Sequence, residues 1–264
     1  MVTPTSPGAS TPDKCRPDPE CEQSAPGPLA GDMDVAFVVD SSHSVGADVY
    51  RTALSLVDAA LDDLEVAAQP SVSPRGARAA LVMHTTPDFR PGAGRPPVLE
   101  GFHLTSYGQK IQMRSFLHEA SNRPLRGAPA LGHALEWMLE KVHLAAPLPR
   151  PVRVLFAIVA SETSSWDKEK LRALSLEAKC KGITLFVLAL GPGVGTQELA
   201  ELEGVASLPT EQHLLHLEGI SGQEVAYAQG FTRAFLNLLK SKHQGCPGWG
   251  GERNLLEPGI CMSR

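Results

Sequence analysis

Five consecutive residues, Asp40-Ser41-Ser42-His43-Ser44, put a carboxylate and two alternate hydroxyls into one short stretch. In a tight turn the spacing D-x-S-x-S sets Asp40, Ser42 and Ser44 on the same side. Three hard oxygen ligands so arranged suit Mg²⁺, which prefers octahedral oxygen coordination and keeps several waters. Ser and Asp also gather in strand-to-helix loops because they cap helices, so the pentapeptide alone leaves both readings open. His43 occupies a variable position of the loop and is expected to face solvent.

Other chemistry-bearing patterns are incomplete. The 9 histidines form no H-E-x-x-H, and no cysteine pair has C-x₂-C spacing, so zinc has little support. No G-x-S-x-G elbow places a serine nucleophile, and no N-x-[ST] acceptor for glycosylation is present. Gly191-Pro192-Gly193-Val194-Gly195 lies between a strand and a helix, where a phosphate-binding turn would sit. It completes neither G-x-x-x-x-G-K-[ST] nor G-x-G-x-x-G, since Thr196 stands at the final glycine position. A turn eased by glycine is the favoured reading.

The elements that must position these residues follow from periodicity. Val35–Val39 is a short apolar run, as expected of a strand covered on both faces. Val49, Ala53, Leu56, Val57, Ala60, Leu61 and Leu64 recur at helical spacing and predict a helix over 47–65. Ala79–Met83, Val152–Val159 and Ile183–Leu190 are further buried strands, with an edge strand at 98–104 and a short strand at 213–217. Helices are predicted over 107–121 (Ile111, Phe116 and Leu117 apolar), 130–144, 167–181 (Leu171, Leu174, Leu176 and Ala178), 196–203 and 222–241. Gly182 is placed as a C-terminal cap. Apolar strands alternating with helices predict an α/β fold: an open, mostly parallel, doubly wound (Rossmann-like) sheet with helices on both faces. In such a sheet ligands gather beyond the carboxyl ends of the strands, which is where Asp40–Ser44 falls.

Composition bounds the rest. Hydrophobic residues make up 42% of the 264, enough for a sizeable core, while aromatics are only 5%. The net charge of −5 and the lack of a basic block exclude any general attraction to nucleic acid. No apolar run is long enough to insert in a membrane. Residues 1–31 read as a disordered Pro/Ser-rich leader, 32–242 as one domain, and 243–264 as a Gly/Pro-rich tail. Met1–Ser10 lacks the basic and apolar regions of a signal peptide, which leaves an intracellular location open. Cys15, Cys21, Cys246 and Cys261 flank the domain. That layout suits disulfides near the chain ends, and equally suits unpaired thiols in a reducing compartment. Cys180, inside a helix, reads as a small buried apolar residue.

Taken with its setting, the loop resembles that of the von Willebrand factor type A domain family. Met33–Gly46 gives strand, loop and following helix in the family's order. Gly132-His133-Ala134-Leu135 looks like the family's G-x-A-L helix start, Val154–Val159 like its central strand, and Gly182–Gly191 like its G-[IV]-x-[IVL]-[FY] strand. The texture is closest to the C-terminal globular domains of collagen VI chains. The resemblance implies a non-enzymatic protein–protein interaction domain in extracellular-matrix adhesion or assembly, with matrix components or collagen VI-like chains as partners. It also implies a metal site on Asp40, Ser42 and Ser44, completed by a Thr and an Asp from distant loops. This chain departs at both: Pro129 stands at the Thr position and Ala160 at the Asp position. The expectation is therefore no cofactor, with Mg²⁺ binding weak at best. Contacts then fall to the face of loops 40–46, 122–130 and 160–167, with Trp166 as the candidate anchor. Two alternatives remain: a nucleotide-binding α/β enzyme using the 191–195 turn, and a truncated relative with no retained partner.

Overall fold

A computed structural model describes residues 31–242 apart from 85, 87 and 88. The expectations for residues 1–30 and 243–264, including the four flanking cysteines, lie outside the described residues.

Six strands form one sheet in the order β3-β2-β1-β4-β5-β6. The strands are β1 (Met33–Asp40), β2 (Arg78–His84), β3 (Val98–Phe102), β4 (Val152–Val159), β5 (Thr184–Leu190) and β6 (Leu214–Leu217). Every pairing is parallel except β2 with β3, where the edge strand runs antiparallel. The helices are α1 (Ala47–Asp62), α2 (Lys110–Ala120), α3 (Leu131–Trp137), α4 (Lys168–Cys180), α5 (Thr196–Val205), α6 (Thr210–His213) and α7 (Gly222–Lys242).

All eight residues of β1 are buried, which explains the unbroken apolar run. Its alternate residues divide the core. Met33, Val35, Phe37 and Val39 pack with α1, α2 and α7; Ala36 and Val38 face α3, α4 and α5. On the first face, Phe37, Phe156 and Phe186 share one register row across three strands. Their rings run in series, 5.5 and 4.3 Å between centroids, and Phe235 of α7 closes the row at 4.5 Å. Such a row fixes register, because a one-residue slip would send the rings to the other face.

Several local expectations need correction. The helix expected over 130–144 is α only to Trp137 and continues as a π-helical segment, Met138–His143. Periodicity does not distinguish the two, since both bury one stripe. Ile111 and Leu176 are exposed, because the sheet-facing stripes are Met113, Leu117 and Ala120 in α2 and Leu171, Ser175 and Ala178 in α4. Cys180 is exposed, not buried. It lies off the stripe that ends at Ala178. Gly182 does have the positive φ (69°) that a helix-ending glycine supplies.

At the amino ends of the strands a buried ion pair locks β1 to β2. Arg78 and Asp34 are both fully buried, with Nε and Nη2 donating to the two carboxylate oxygens at 2.7 and 2.8 Å. The Arg150 backbone N–H adds a third donor to Asp34 at 3.0 Å. The opposite, carboxyl ends of the strands are where ligands gather in such sheets.

Candidate functional site

The chain leaves β1 toward β2 on one side and reaches β4 on the other, so the switch point lies between the carboxyl ends of β1 and β4. Asp40 ends β1 and Ala160 follows β4, which brings two loops 120 residues apart into contact.

Asp40 is almost fully buried, and its carboxylate is met by the protein's own donors. Oδ1 accepts the Ser42 backbone N–H at 3.0 Å. Oδ2 accepts the Ala160 N–H at 3.2 Å and the Ser161 hydroxyl at 2.5 Å. Ser161 Oγ is in turn 3.2 Å from Ser42 Oγ. Asp40, Ser42 and Ser161 thus form one closed network. Ser44 is exposed and takes no part in it. His43 is exposed as expected, yet its Nδ1 reaches the Gly127 carbonyl at 2.6 Å, tying the loop to 122–130. The Ser41 carbonyl accepts the Arg126 N–H at 3.1 Å, a second tie between the same loops.

The two positions that the family pattern gives to completing ligands are Pro129 and Ala160 in this chain. Pro129 offers only its carbonyl, which accepts the Ser164 N–H at 3.2 Å. Ala160 contributes a backbone N–H. Among the described residues no group of three His, Cys, Asp or Glu side chains is placed to hold a metal ion.

Three side chains that sequence reading did not single out complete the site. His84, paired with Asp40 across β1 and β2, is 1% exposed, and its Nε2 lies 3.7 Å from Asp40 Oδ1. Asp167 is fully buried and accepts the Gly132 N–H at 2.5 Å and the His133 N–H at 3.2 Å, at the start of α3; the His133 ring also bonds it. A carboxylate there complements the positive end of the helix. The signal in G-x-A-L is now physical. A Cβ on Gly132 would come within 2.7 Å of the Leu171 backbone nitrogen, so only glycine lets α3 and α4 approach this closely. Glu198 of α5, also fully buried, accepts the Thr163 N–H at 3.0 Å. None of these is marked by apolar periodicity: Asp167 and Glu198 are buried against backbone N–H donors from other loops, and His84 ends the buried strand β2 with neither ring nitrogen hydrogen-bonded.

Trp166 is 45% exposed in the 160–167 loop. It leans on His133 (ring centroids 5.5 Å apart) and Phe89 (6.2 Å), so one face is held while the rest meets solvent. The 191–195 turn packs against this loop: a Cβ on Gly193 would lie 2.3 Å from the Ala160 carbonyl oxygen. The Gly191 N–H is bonded to the Leu217 carbonyl at 2.8 Å. Close approach accounts for Gly193, and a positive φ of 82° for Gly191.

The von Willebrand factor type A domain profile matches residues 34–226. The chain is 66% identical to the collagen alpha-4(VI) chain of Mus musculus over 229 residues, covering 87% of this chain and 10% of that one. It is 39% identical to the collagen alpha-6(VI) chain of Homo sapiens over 228 residues, covering 86% and 10%. It thus spans about a tenth of the length of these relatives. Among solved structures, proximal thread matrix protein 1 from the mussel byssus superposes with a TM-score of 0.60 at 18% identity, over 80% of this chain and 46% of that one. With the profile matched over most of its length and the fold shared, the chain belongs to the von Willebrand factor type A domain family.

Proposed function

We propose that this chain is a non-enzymatic protein–protein interaction domain of the extracellular matrix, working without a metal ion through the face of loops 40–46, 122–130 and 160–167. The observation that carries the reading is the closed network around Asp40. A Mg²⁺ site needs carboxylate and hydroxyl oxygens free to turn toward the ion. Here both Asp40 oxygens and the Ser42 hydroxyl have protein partners, and one carboxylate faces the site where the family pattern has two. The donor set does not fit a hard cation: Asp40 and Ser42 are engaged in holding the loop to the 160–161 turn, and Ser44 faces solvent outside that network.

Without an ion to take a partner's carboxylate, affinity must come from ordinary contacts. A half-exposed aromatic held against two other rings is a fitting anchor, because little side-chain freedom remains to be lost on binding. Trp166 is that residue. The matrix setting and partners drawn from matrix components or collagen VI-like chains are supported by the likeness to collagen VI alpha chains. In the nucleotide reading, the 191–195 turn would have to offer its backbone to phosphates. Its packing on Ala160 and its bond to Leu217 speak against that.

The test is to retain matrix proteins on the immobilised domain and titrate each against wild type and Trp166→Ala, in Mg²⁺ and in chelator. Wild-type affinity should be the same in both media, and Trp166→Ala should weaken it by about 2 kcal/mol or more. Unchanged affinity of Trp166→Ala for every retained partner, or binding lost in chelator, overturns the proposal.

A further inference from the structure

Glu198 has no evident reason to be buried for the sake of its own helix. It sits in the first turn of α5, where a carboxylate would ordinarily face solvent, and the sheet-facing contacts of α5 come from Leu202 and Val205. It is nevertheless fully buried. A carboxylate withdrawn from water is costly unless its partners are well placed, so the partners show what it holds. Oε1 accepts the backbone N–H of Thr163 at 3.0 Å. Oε2 lies 3.0 Å from Lys168 Nζ, in a direction that forms no hydrogen bond, so that contact is coulombic. Thr163 and Lys168 bracket Trp166. Between them, the Ser164 N–H is fixed to the Pro129 carbonyl and Asp167 is fixed to α3.

We propose that Glu198 is the positioning residue of the contact face: through Thr163 and Lys168 it holds the segment on either side of Trp166 in the shape that presents that side chain. The role rests on that face being the contact surface, and it makes α5, remote in sequence, part of the binding machinery. The backbone bond to Thr163 sets where the loop turns. The charge contact to Lys168 sets where α4 begins.

Amide hydrogen exchange on the whole chain tests this without any partner. In Glu198→Ala the Thr163 and Ser164 amides should exchange at least about tenfold faster, while Ile158 in β4 and Leu188 in β5 stay within about twofold of wild type. Glu198→Gln keeps an acceptor for Thr163 and should leave that amide protected. If Glu198→Ala does not fold, Glu198→Asp, one methylene shorter, should give the same loop-selective loss. Loop amides unchanged in Glu198→Ala or Glu198→Asp, a Thr163 amide equally exposed in Glu198→Gln, or loop and strand amides accelerating together, overturn the proposal. The two ideas fail separately. If Trp166→Ala binds as wild type while the loop result stands, the contact surface is wrong. If binding depends on Trp166 but the exchange result is absent, Glu198 is not its support.

Discussion

Replacing Asp40 by alanine separates a self-contained loop from one that awaits an ion. The substitution strands two donors in a buried site, the Ser42 and Ala160 backbone N–H groups, and leaves the Ser161 hydroxyl only its Ser42 partner. An unsatisfied buried donor costs about 1–3 kcal/mol. Against that sum stands the relief of no longer burying a charge, several kcal/mol in its own right. Because Asp40→Ala leaves neutral donors and no unpaired charge, the net loss is that of the stranded donors less this relief, about 1–3 kcal/mol. For a domain of roughly 200 residues, each kcal/mol moves the midpoint by about 2–4 °C, so Tm should fall by about 2–12 °C. Thermal unfolding followed by circular dichroism, first in chelator and then in millimolar Mg²⁺, measures it. The wild-type midpoint should be indifferent to the ion, and the loss in Asp40→Ala should be the same in both media. The reasoning is refuted if Mg²⁺ raises the wild-type midpoint and Asp40→Ala abolishes that rise. It is equally refuted if Asp40→Ala costs less than about 1 kcal/mol, since the network would then contribute nothing measurable.

Other perturbations probe the frame around the site. Burial lowers the His143 pKa from 6.5 to about 4, helped by the nearby Arg153 and Arg78 and opposed by Asp34. Its unfolded form therefore binds a proton that the native form refuses. Stability should be fully present above pH 6.5 and fall by roughly 3 kcal/mol as pH drops toward 4, with His143→Leu flattening that limb of a urea-denaturation series. Gly132→Ala drives a Cβ to 2.7 Å from the Leu171 nitrogen and should cost about 1–3 kcal/mol by the same denaturation. Asp34→Ala leaves Arg78 buried without its carboxylate and should cost about 3–5 kcal/mol. The double variant with Arg78→Met should recover part of that loss; a cycle showing simple additivity would mean the pair is not coupled.

Much of this architecture is legible in the chain. Val35–Val39, Val154–Val159 and Leu185–Leu190 are apolar enough to be covered on both faces, and the helices between them force parallel pairing. Asp40 was placed at a strand's carboxyl end by the same logic, and the absence of ligands at Pro129 and Ala160 could be read directly. Less legible was which stripe of each helix meets the sheet. Ile111 and Leu176 are as apolar as their buried neighbours, but lie on the wrong side of the turn. The π-helical step at Met138–His143 leaves the apolar pattern unaltered.

What the sequence determined by itself was the fold and the strand end at which Asp40 stands, because burial of apolar strands and helix stripes follows from local spacing. What only the tertiary structure decided was the fate of the polar residues. Ser161 meets Asp40 across 121 positions, Asp167 meets Gly132 across 35, and Glu198 meets Thr163 across 35. A carboxylate written in a sequence looks solvated. Whether it is buried depends on which donors the fold brings to it, and those donors come from loops that only the folded sheet sets side by side.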